Sequence, residues 1–225
     1  MSERAGSKKE RTFYDLYIKR CFDIIASFLG MLILSPVFLI VSLAVYLDDP
    51  GPVLFRQKRV GINKTLFSMH KFRSMKMSAP HDTPTHLLTD PDAYITRVGR
   101  FIRKFSLDEL PQFWDIFTGK LSVIGPRCAL WNQYDLIGER DKYGANDIRP
   151  GLTGWAQIHG RDELEIEEKA KLDGYYTEQI KKSNLSGFIM DVRCFFGSVK
   201  AVLSTKGVVE GGTGTKSQMS EGSER

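Results

Sequence analysis

A long apolar segment, residues 21–47, places the strongest constraint on how this chain can fold. As one straight helix it would measure about 40 Å, more than the roughly 30 Å hydrocarbon core of a bilayer, so length alone allows a tilted span. Pro36, which follows Ser35 near the middle, removes a backbone donor and clashes with the preceding turn, so we expect a break there. Each arm then reaches only about 20 Å, which is too short to cross a bilayer alone.

Basic residues stand on both sides of this segment: Lys8, Lys9, Arg11, Lys19 and Arg20 before it, and Arg56, Lys58, Arg59 and Lys64 after it. Because positive residues favour the cytoplasmic side, two basic flanks favour a re-entrant hairpin that enters and leaves on one face. Ser35 can hydrogen-bond a carbonyl that the bend leaves free. On these features alone, a kinked transmembrane span has equal weight. Asp23, in the first arm, needs an interfacial position or a partner, for which Arg20 is the candidate.

Charge and cysteine content narrow the class of protein. The 225 residues suit one domain, and the net charge of +5 indicates an anionic partner, which these numbers allow to be nucleic acid, a nucleotide or an acidic membrane. The cysteines are odd in number and widely spaced, which predicts no disulfide framework. The histidines have no HExxH spacing, which argues against a zinc site built from them.

Local patterns predict an α+β fold: a mostly helical small domain with a short β-hairpin and interfacial amphipathic helices. The broken apolar segment adds either a re-entrant membrane hairpin or a kinked span. The predicted strands are 53–61 and 65–73, a loop covers 76–92, and the predicted helices are 96–105, 110–117, 163–182 and 185–203. The helix at 96–105 is basic and amphipathic, which suits a membrane surface. We expect a basic arm at 1–18, one folded domain at 19–205 and a disordered tail at 206–225.

An acidic pair, Asp108 and Glu109, is the candidate catalytic and metal-binding feature. With Ser106 it matches a capping box, in which Ser106 would cap a helix and Glu109 would reach back to its amide. Pro111 conflicts with that interpretation because it would fall early inside the helix. A carboxylate at a helix N-terminus is kept ionised by the dipole, and an ionised Asp can attack phosphorus or hold Mg²⁺ against a diphosphate.

Several cations stand beside rigid or glycine-bearing backbone, where phosphate-binding groups are often found. The candidate substrate-binding residues are Lys71, Arg73, Arg103, Arg127, Arg149, Pro150 and Gln157. The planar fork of arginine suits phosphate oxygens. For any one of these cations a solvated surface position is the simpler interpretation, but their recurrence in one small basic domain favours phosphate binding. Trp155, close by, is by itself more typical of a core residue than of a ligand platform.

Seven short strings stand in order along the chain: KRCFD (19–23), GP (51–52), QKRVG (57–61), KFRSM (71–75), SLDELPQ (106–112), GPR (125–127) and RPGLTGWAQ (149–157). In these strings the chain resembles the bacterial sugar transferases, the monotopic phosphoglycosyl transferases. The resemblance covers almost the whole chain, from residue 19 to about residue 203, and rests on these strings. Their order behind a broken apolar helix makes the resemblance specific.

The resemblance implies a re-entrant helix broken at Ser35 and Pro36, and transfer of a sugar-1-phosphate from a UDP-sugar to polyprenyl phosphate. It implies that UMP is released, that Mg²⁺ is required, and that Asp108 is the nucleophile of an Asp108–Glu109 dyad. It further implies a location at the bacterial cytoplasmic membrane, with the catalytic domain on the cytoplasmic face and no nucleic-acid partner. We expect the minimal catalytic form of the family and leave a homodimer open.

Three residues depart from the family's usual pattern: Cys128 stands where Pro is usual, and Asp115 and His159 where Asn is usual. Two other functions compete with the implied one. A membrane-anchored interaction protein that binds anionic lipid would not need adjacent carboxylates among phosphate-binding arginines. A glycosyltransferase that moves the sugar without its phosphate would release UDP instead of UMP.

Overall fold

The computed structural model describes residues 11–79, 91–160 and 164–204. Most of the predicted loop at 76–92, the predicted tail at 206–225 and the first ten residues of the predicted basic arm lie outside this part of the chain. The α-helices are α1 (Lys19–Ile33), α2 (Ser35–Asp48), α3 (Pro91–Tyr94), α4 (Arg97–Lys104), α5 (Gln112–Phe117), α6 (Tyr134–Asp141), α7 (Trp155–Ile158), α8 (Ile166–Lys182) and α9 (Asn184–Ser204). The strands are β1 (Leu54–Val60), β2 (Leu66–Phe72), β3 (Ser122–Ile124) and β4 (Gly151–Thr153).

The predicted break in the apolar segment is confirmed. A short π-helix, Tyr14–Ile18, leads directly into α1, so the first arm begins earlier than predicted. Pro36 lies in the first turn of α2, where its missing N–H is not needed. The Ser35 hydroxyl donates to the Leu32 carbonyl at 2.8 Å, as expected at such a bend.

No helix in the described ranges is by itself long and apolar enough to cross a bilayer. The helical stretches Tyr14–Ile33 and Ser35–Asp48 meet that test of length and composition only as a pair, and they are bent by 62° at the break.

The predicted pairing of Asp23 with Arg20 is wrong. Asp23 instead accepts hydrogen bonds from the Ser122 hydroxyl at 3.0 Å and the Val123 amide at 2.9 Å, and so connects α1 to β3. Arg20 donates to the Ile116 and Phe117 carbonyls at the end of α5. Each side chain satisfies backbone groups that a helix end or a short strand leaves open, which stabilises the structure more than an exposed ion pair would.

The predicted β-hairpin is confirmed, with β1 and β2 antiparallel and Leu54 opposite Phe72. Asn63 and Lys64 take positive φ angles in the connecting turn. Because side chains alternate along a strand, Lys71 points to one face of the hairpin and its neighbours His70 and Phe72 point to the other. This alternation places two different sets of polar groups on the two faces.

Strands β3 and β4 form a parallel pair that the sequence did not indicate, because three residues are too few for a periodic pattern. The loops that flank this pair contact each other through glycine. A Cβ at Gly151 would lie 2.1 Å from the Gly125 nitrogen, and one at Gly154 would lie 2.1 Å from the Gly125 oxygen. Only glycine therefore allows the GPR and RPGLTG loops to lie side by side.

Helices α8 and α9 pack together and supply much of the core beside this pair of strands. Tyr176, Ile180, Met190 and Cys194 are buried there with Ile124. The predicted helices at 163–182 and 185–203 are therefore confirmed, with small shifts at their starts.

Candidate active site

The capping-box interpretation of the acidic pair is wrong. Ser106 has a left-handed conformation with φ of 55° and its side chain makes no capping hydrogen bond. An N-cap residue needs extended backbone angles, so this conformation excludes the motif. Leu107–Glu109 form a single 3₁₀ turn, and α5 begins only at Gln112 because Pro111 cannot donate within a helix.

Glu109 lies between two cations that come from distant parts of the chain. Lys71, on β2, donates to Glu109 Oε1 at 2.8 Å, and Arg127, in the GPR loop, also forms a hydrogen-bonded ion pair with that oxygen. Burial by itself would raise the pKa of Glu109, but Arg127 and Lys71 hold it well below its ordinary value. Glu109 is therefore an ionised carboxylate whose main contacts fix Lys71 and Arg127 in place.

The side chain of Asp108 is less exposed than that of Glu109 but is not hydrogen-bonded. Asp108 as a whole residue is 8% exposed. Its closest cation is Lys71, whose Nζ lies 3.7 Å from Asp108 Oδ2. None of the described residues donates a hydrogen bond to its carboxylate. Burial raises the pKa of Asp108, Glu109 raises it further, and Lys71, Arg103 and Arg127 oppose the rise.

The expectation that a helix dipole keeps Asp108 ionised is wrong. A single 3₁₀ turn has no substantial dipole, so nearby cations and not a helix end favour the ionised form. The environments move the two neighbouring pKa values in opposite directions, a pattern that often assigns different chemical roles to paired carboxylates. A buried carboxylate with spare lone pairs is suited to react or to bind a ligand.

Arg103, on α4, is held near the pair by a side-chain contact. Its Nε donates to the Ser74 hydroxyl at 2.8 Å, and Ser74 follows the hairpin directly. Gly99 allows α4 to approach this segment, since a Cβ there would lie 2.0 Å from the Ser74 oxygen. The charge of Arg103 lowers the pKa of Asp108, against the effect of burial.

The other predicted substrate-binding residues lie elsewhere. Arg73 forms an ion pair with Asp49 at 3.3 Å and also bonds its backbone oxygen, so it holds the turn after α2. Burial lowers the pKa of Arg149, and the charges that act most on it are those of the N-terminal residues Arg11, Arg20, Asp23 and Asp15, not the acidic pair.

Pro150 and Gln157 lie along the β3–β4 region. The Pro150 carbonyl accepts from the Ser122 amide at 2.8 Å, a contact made by its backbone. The amide nitrogen and oxygen of Gln157 are both buried without a partner in the part of the chain that the structure describes. The structure thus brings Lys71, Arg103 and Arg127 to the acidic pair, and leaves Gln157 with unused hydrogen-bonding groups.

A comparison with known protein families identifies what this site belongs to. The family model of the bacterial sugar transferases matches residues 14–205. The chain belongs to the bacterial sugar transferase family. It is therefore an enzyme, and its acidic pair lies within the family's shared region.

Curated members of the bacterial sugar transferases support this assignment. The chain is 35% identical to the uncharacterized sugar transferase EpsL of Bacillus subtilis, over 86% of this chain and 91% of the relative. It is 37% identical to the exopolysaccharide production protein PSS of Rhizobium leguminosarum, over 84% and 97%. It is also 43% identical to the UDP-glucose:undecaprenyl-phosphate glucose-1-phosphate transferase of Escherichia coli, over 68% of this chain and 33% of that longer protein.

The donor atoms at the acidic pair determine how well this sugar transferase fits a divalent cation. The described residues contain no group of three or more His, Cys, Asp or Glu side chains that could hold a metal ion. Mg²⁺ usually keeps several waters and binds through one or two carboxylates together with substrate phosphates, so a full protein cage is not required. Asp108 has free lone pairs for such a contact, whereas both neighbouring cations already occupy Glu109. The residues fit Mg²⁺, with Asp108 the better ligand.

The three departures from the family pattern make contacts away from the acidic pair. Cys128 contacts the Met69 sulfur at 3.5 Å, and His159 Nδ1 bonds the Trp155 carbonyl at 2.8 Å. Asp115, which is completely buried, accepts from the His70 amide and from His70 Nδ1, both at 2.8 Å. No local pattern in the sequence indicates the pair of Asp115 and His70, because its members lie on separate elements, α5 and β2.

Proposed function

We propose that this enzyme transfers a sugar-1-phosphate from a UDP-sugar to polyprenyl phosphate and releases UMP. Such a reaction would be the first membrane step of a bacterial surface polysaccharide or glycoconjugate. The observation that carries the proposal is Asp108, a buried carboxylate without hydrogen bonds beside a carboxylate held by Lys71 and Arg127. The name of the E. coli relative describes the same class of donor, acceptor and transfer.

The proposed chemistry proceeds by two displacements at phosphorus. Asp108 attacks the β-phosphorus of the donor, so an aspartyl O–P bond forms, the bond to the α-phosphate oxygen breaks, and UMP leaves with the electron pair. An oxygen of the polyprenyl phosphate then attacks the same phosphorus and releases Asp108. No oxidant or further reactant is needed, and no proton must be removed from an ionised acceptor.

The roles of the cations follow from their positions. Lys71, Arg103 and Arg127 surround the carboxylates, where they offset charge on the transferring phosphoryl group in both steps. Glu109 holds Lys71 and Arg127 in place before substrate arrives, so little reorganisation is required. Of the other predicted residues, Gln157 has an unused donor and acceptor and Arg149 has an unused Nε donor, which a nucleotide would satisfy, whereas Arg73 holds the turn after α2.

Asp108 and the donor's phosphates would hold Mg²⁺, with Glu109 close by. When bound, the ion neutralises phosphate charge. Binding of the ion also lowers the pKa of a carboxylate ligand, which would favour ionised Asp108.

For the membrane arrangement, we propose that α1 and α2 form a re-entrant hairpin with both ends on the cytoplasmic face. The 62° bend, the exposed apolar side chains along both helices and the flanking basic residues support it. A cysteine placed at Ser2 should be labelled only from the cytoplasmic side. Replacement of Ser35 and Pro36 by Leu should straighten the segment and change the side from which this cysteine is labelled. Periplasmic labelling of the protein that keeps Ser35 and Pro36 would refute the hairpin.

The mechanism is tested by incubating the enzyme with UDP-sugar and Mg²⁺ in the absence of lipid. We expect UMP to be released in a burst and the protein to gain the mass of one phosphosugar on Asp108. A UDP-sugar screen with polyprenyl phosphate would then identify the donor. Release of UDP would indicate transfer of the sugar alone. Absence of both turnover and adduct would favour a lipid-binding scaffold, and turnover without an adduct would indicate direct transfer.

A further inference from the structure

A cavity separate from the acidic pair lies between the membrane hairpin and the rest of the domain. Its volume is about 540 Å³, which is in the range of small-molecule sites. Side chains of α2, of the β-hairpin and of α5 line it, among them Phe38, Ser42, Arg56, His70, Pro111 and Trp114. Most of the lining is apolar, and its basic groups lie only on the side formed by the β-hairpin.

Arg56 and His70 are directly opposite each other in the β-hairpin register. Arg56 is exposed and has no hydrogen bond or ion pair with the described residues. His70 is fixed by Asp115, which bonds its Nδ1 at 2.8 Å and leaves Nε2 for the cavity. A guanidinium and a positioned imidazole at the end of an apolar cavity are complementary to an anionic, phosphate-bearing head group.

The α2 residues in the lining give the depth that such a ligand would reach. Ser42 precedes the C-terminal end of α2 at Asp48 by about 9 Å along the axis, and Phe38 by about 15 Å. The cavity therefore extends along α2 from Phe38 toward Asp48, the end of α2 that precedes the β-hairpin. An amphiphile matches the lining of this cavity if its apolar chain lies along Phe38 and its polar head group contacts Arg56.

The cavity and the acidic pair face opposite sides of the β-hairpin. Lys71, which contacts Glu109, alternates with His70 along β2, so their side chains point to different faces. A lipid whose phosphate contacts Arg56 and His70 would not present that phosphate to Asp108. The ligand of the cavity is therefore distinct from a lipid acceptor undergoing reaction.

We infer that this cavity binds an anionic phospholipid of the surrounding bilayer, with its phosphate on Arg56 and His70 and an acyl chain beside Phe38 and Ser42. The bound lipid would fill the space between α2 and α5 and so fix the membrane hairpin against the catalytic domain. This inference depends on the membrane arrangement proposed above, and it adds a lipid site that catalysis does not require.

The test measures phosphatidylglycerol retained by the full-length detergent-purified protein in native mass spectrometry. Arg56→Gln should weaken retention about tenfold, the loss of one charge-assisted hydrogen bond. Lys58→Gln is the matched control, because Lys58 is an exposed cation on the same face of β1 outside the cavity. Ser42→Phe should fill the cavity and remove the adduct, whereas Leu43→Phe, at the exposed neighbouring position, should not.

Equal retention by Arg56→Gln and wild type, or no retention by wild type, would overturn the lipid site. Preferential retention of polyprenyl phosphate would also overturn it, and would assign the cavity to the acceptor. Flotation with phosphatidylglycerol vesicles and UMP release are measured in parallel. Wild-type protein that does not float would refute the membrane arrangement, whereas normal flotation and turnover with equal retention would refute the lipid site alone.

Discussion

Two buried carboxylates of this enzyme, Asp108 and Asp191, differ in how their oxygens are used. Asp191 is 6% exposed and accepts hydrogen bonds on both oxygens. Tyr14 and Lys19 donate to Oδ2 at 2.7 and 2.5 Å, and Tyr176 donates to Oδ1 at 2.6 Å. Asp108 is 8% exposed and receives no such bond from the described residues.

Equal burial therefore has different consequences at the two sites. Asp191 connects the N-terminal segment, α8 and α9, and its hydrogen bonds offset the cost of removing a charge from water. Asp108 bears that cost with only more distant cations to reduce it. The Asp108 oxygens have no donor among the residues that the structure describes and are not completely shielded from solvent, so they remain available to a ligand, which suits a functional role.

The largest expected effect is on turnover by Asp108→Asn. An amide cannot form the aspartyl–phosphate bond, so UMP release should fall by at least about 10³-fold. The pKa of Asp108 is raised on folding, so its ionised form costs stability above that pKa, and the neutral amide removes this cost. The melting temperature should stay the same or rise. Wild-type-like UMP release would remove Asp108 from the nucleophile role.

Asp191→Asn should show the reverse pattern. It leaves the buried Lys19 ammonium without a carboxylate, so we expect the free energy of unfolding to fall by about 3–5 kcal/mol. Chemical denaturation measures this change, with Lys64→Gln as the control. That substitution breaks an exposed ion pair to Asp141 and should cost less than about 1 kcal/mol. A small loss in Asp191→Asn would show that the comparison with Asp108 is wrong.

The pH dependence of UMP release tests the electrostatics of Asp108. Because burial raises the pKa of Asp108 in the metal-free enzyme, the acid limb of kcat/KM for UMP release at limiting Mg²⁺ should lie above the range of an ordinary aspartate, and activity should fall as pH decreases through it. Lys71 lowers this pKa, so Lys71→Gln should move the acid limb to still higher pH. Lys76→Gln is the control because its amine bonds the Ala93 carbonyl at the surface. An unchanged limb in Lys71→Gln would contradict this account.

Asp115→Asn should have the smallest effect of these substitutions, a slight change in thermal stability. The amide oxygen can still accept from the His70 backbone, and the amide nitrogen can donate to Nδ1 of the other imidazole tautomer. Asp115→Ala removes the acceptor of both His70 groups. The free energy of unfolding should fall by about 1–3 kcal/mol, because the His70 amide is left unpaired. Thermal unfolding of both variants measures the difference, and equal losses would mean that the hydrogen bonds are not what Asp115 contributes.

Several features of the fold were predictable because their causes are local. Pro36 interrupts a helix through its own ring and its missing N–H, wherever the helix lies. The β-hairpin and the amphipathic helix α4 follow from alternation and from helical spacing. The strings that resemble the sugar transferases likewise pointed to Asp108 and Glu109 as the candidate pair without any knowledge of their surroundings.

The surroundings of those carboxylates depended on the tertiary structure. Glu109 contacts Lys71 and Arg127, which are 38 and 18 residues away in the chain, and Asp115 contacts His70, which is 45 residues away. A local pattern also favoured a capping box at Ser106, although packing of the chain gives this residue a left-handed conformation. Sequence periodicity reports the dihedral preferences of neighbouring residues, whereas the pKa of Asp108 depends on burial and on charges that only the folded chain brings together.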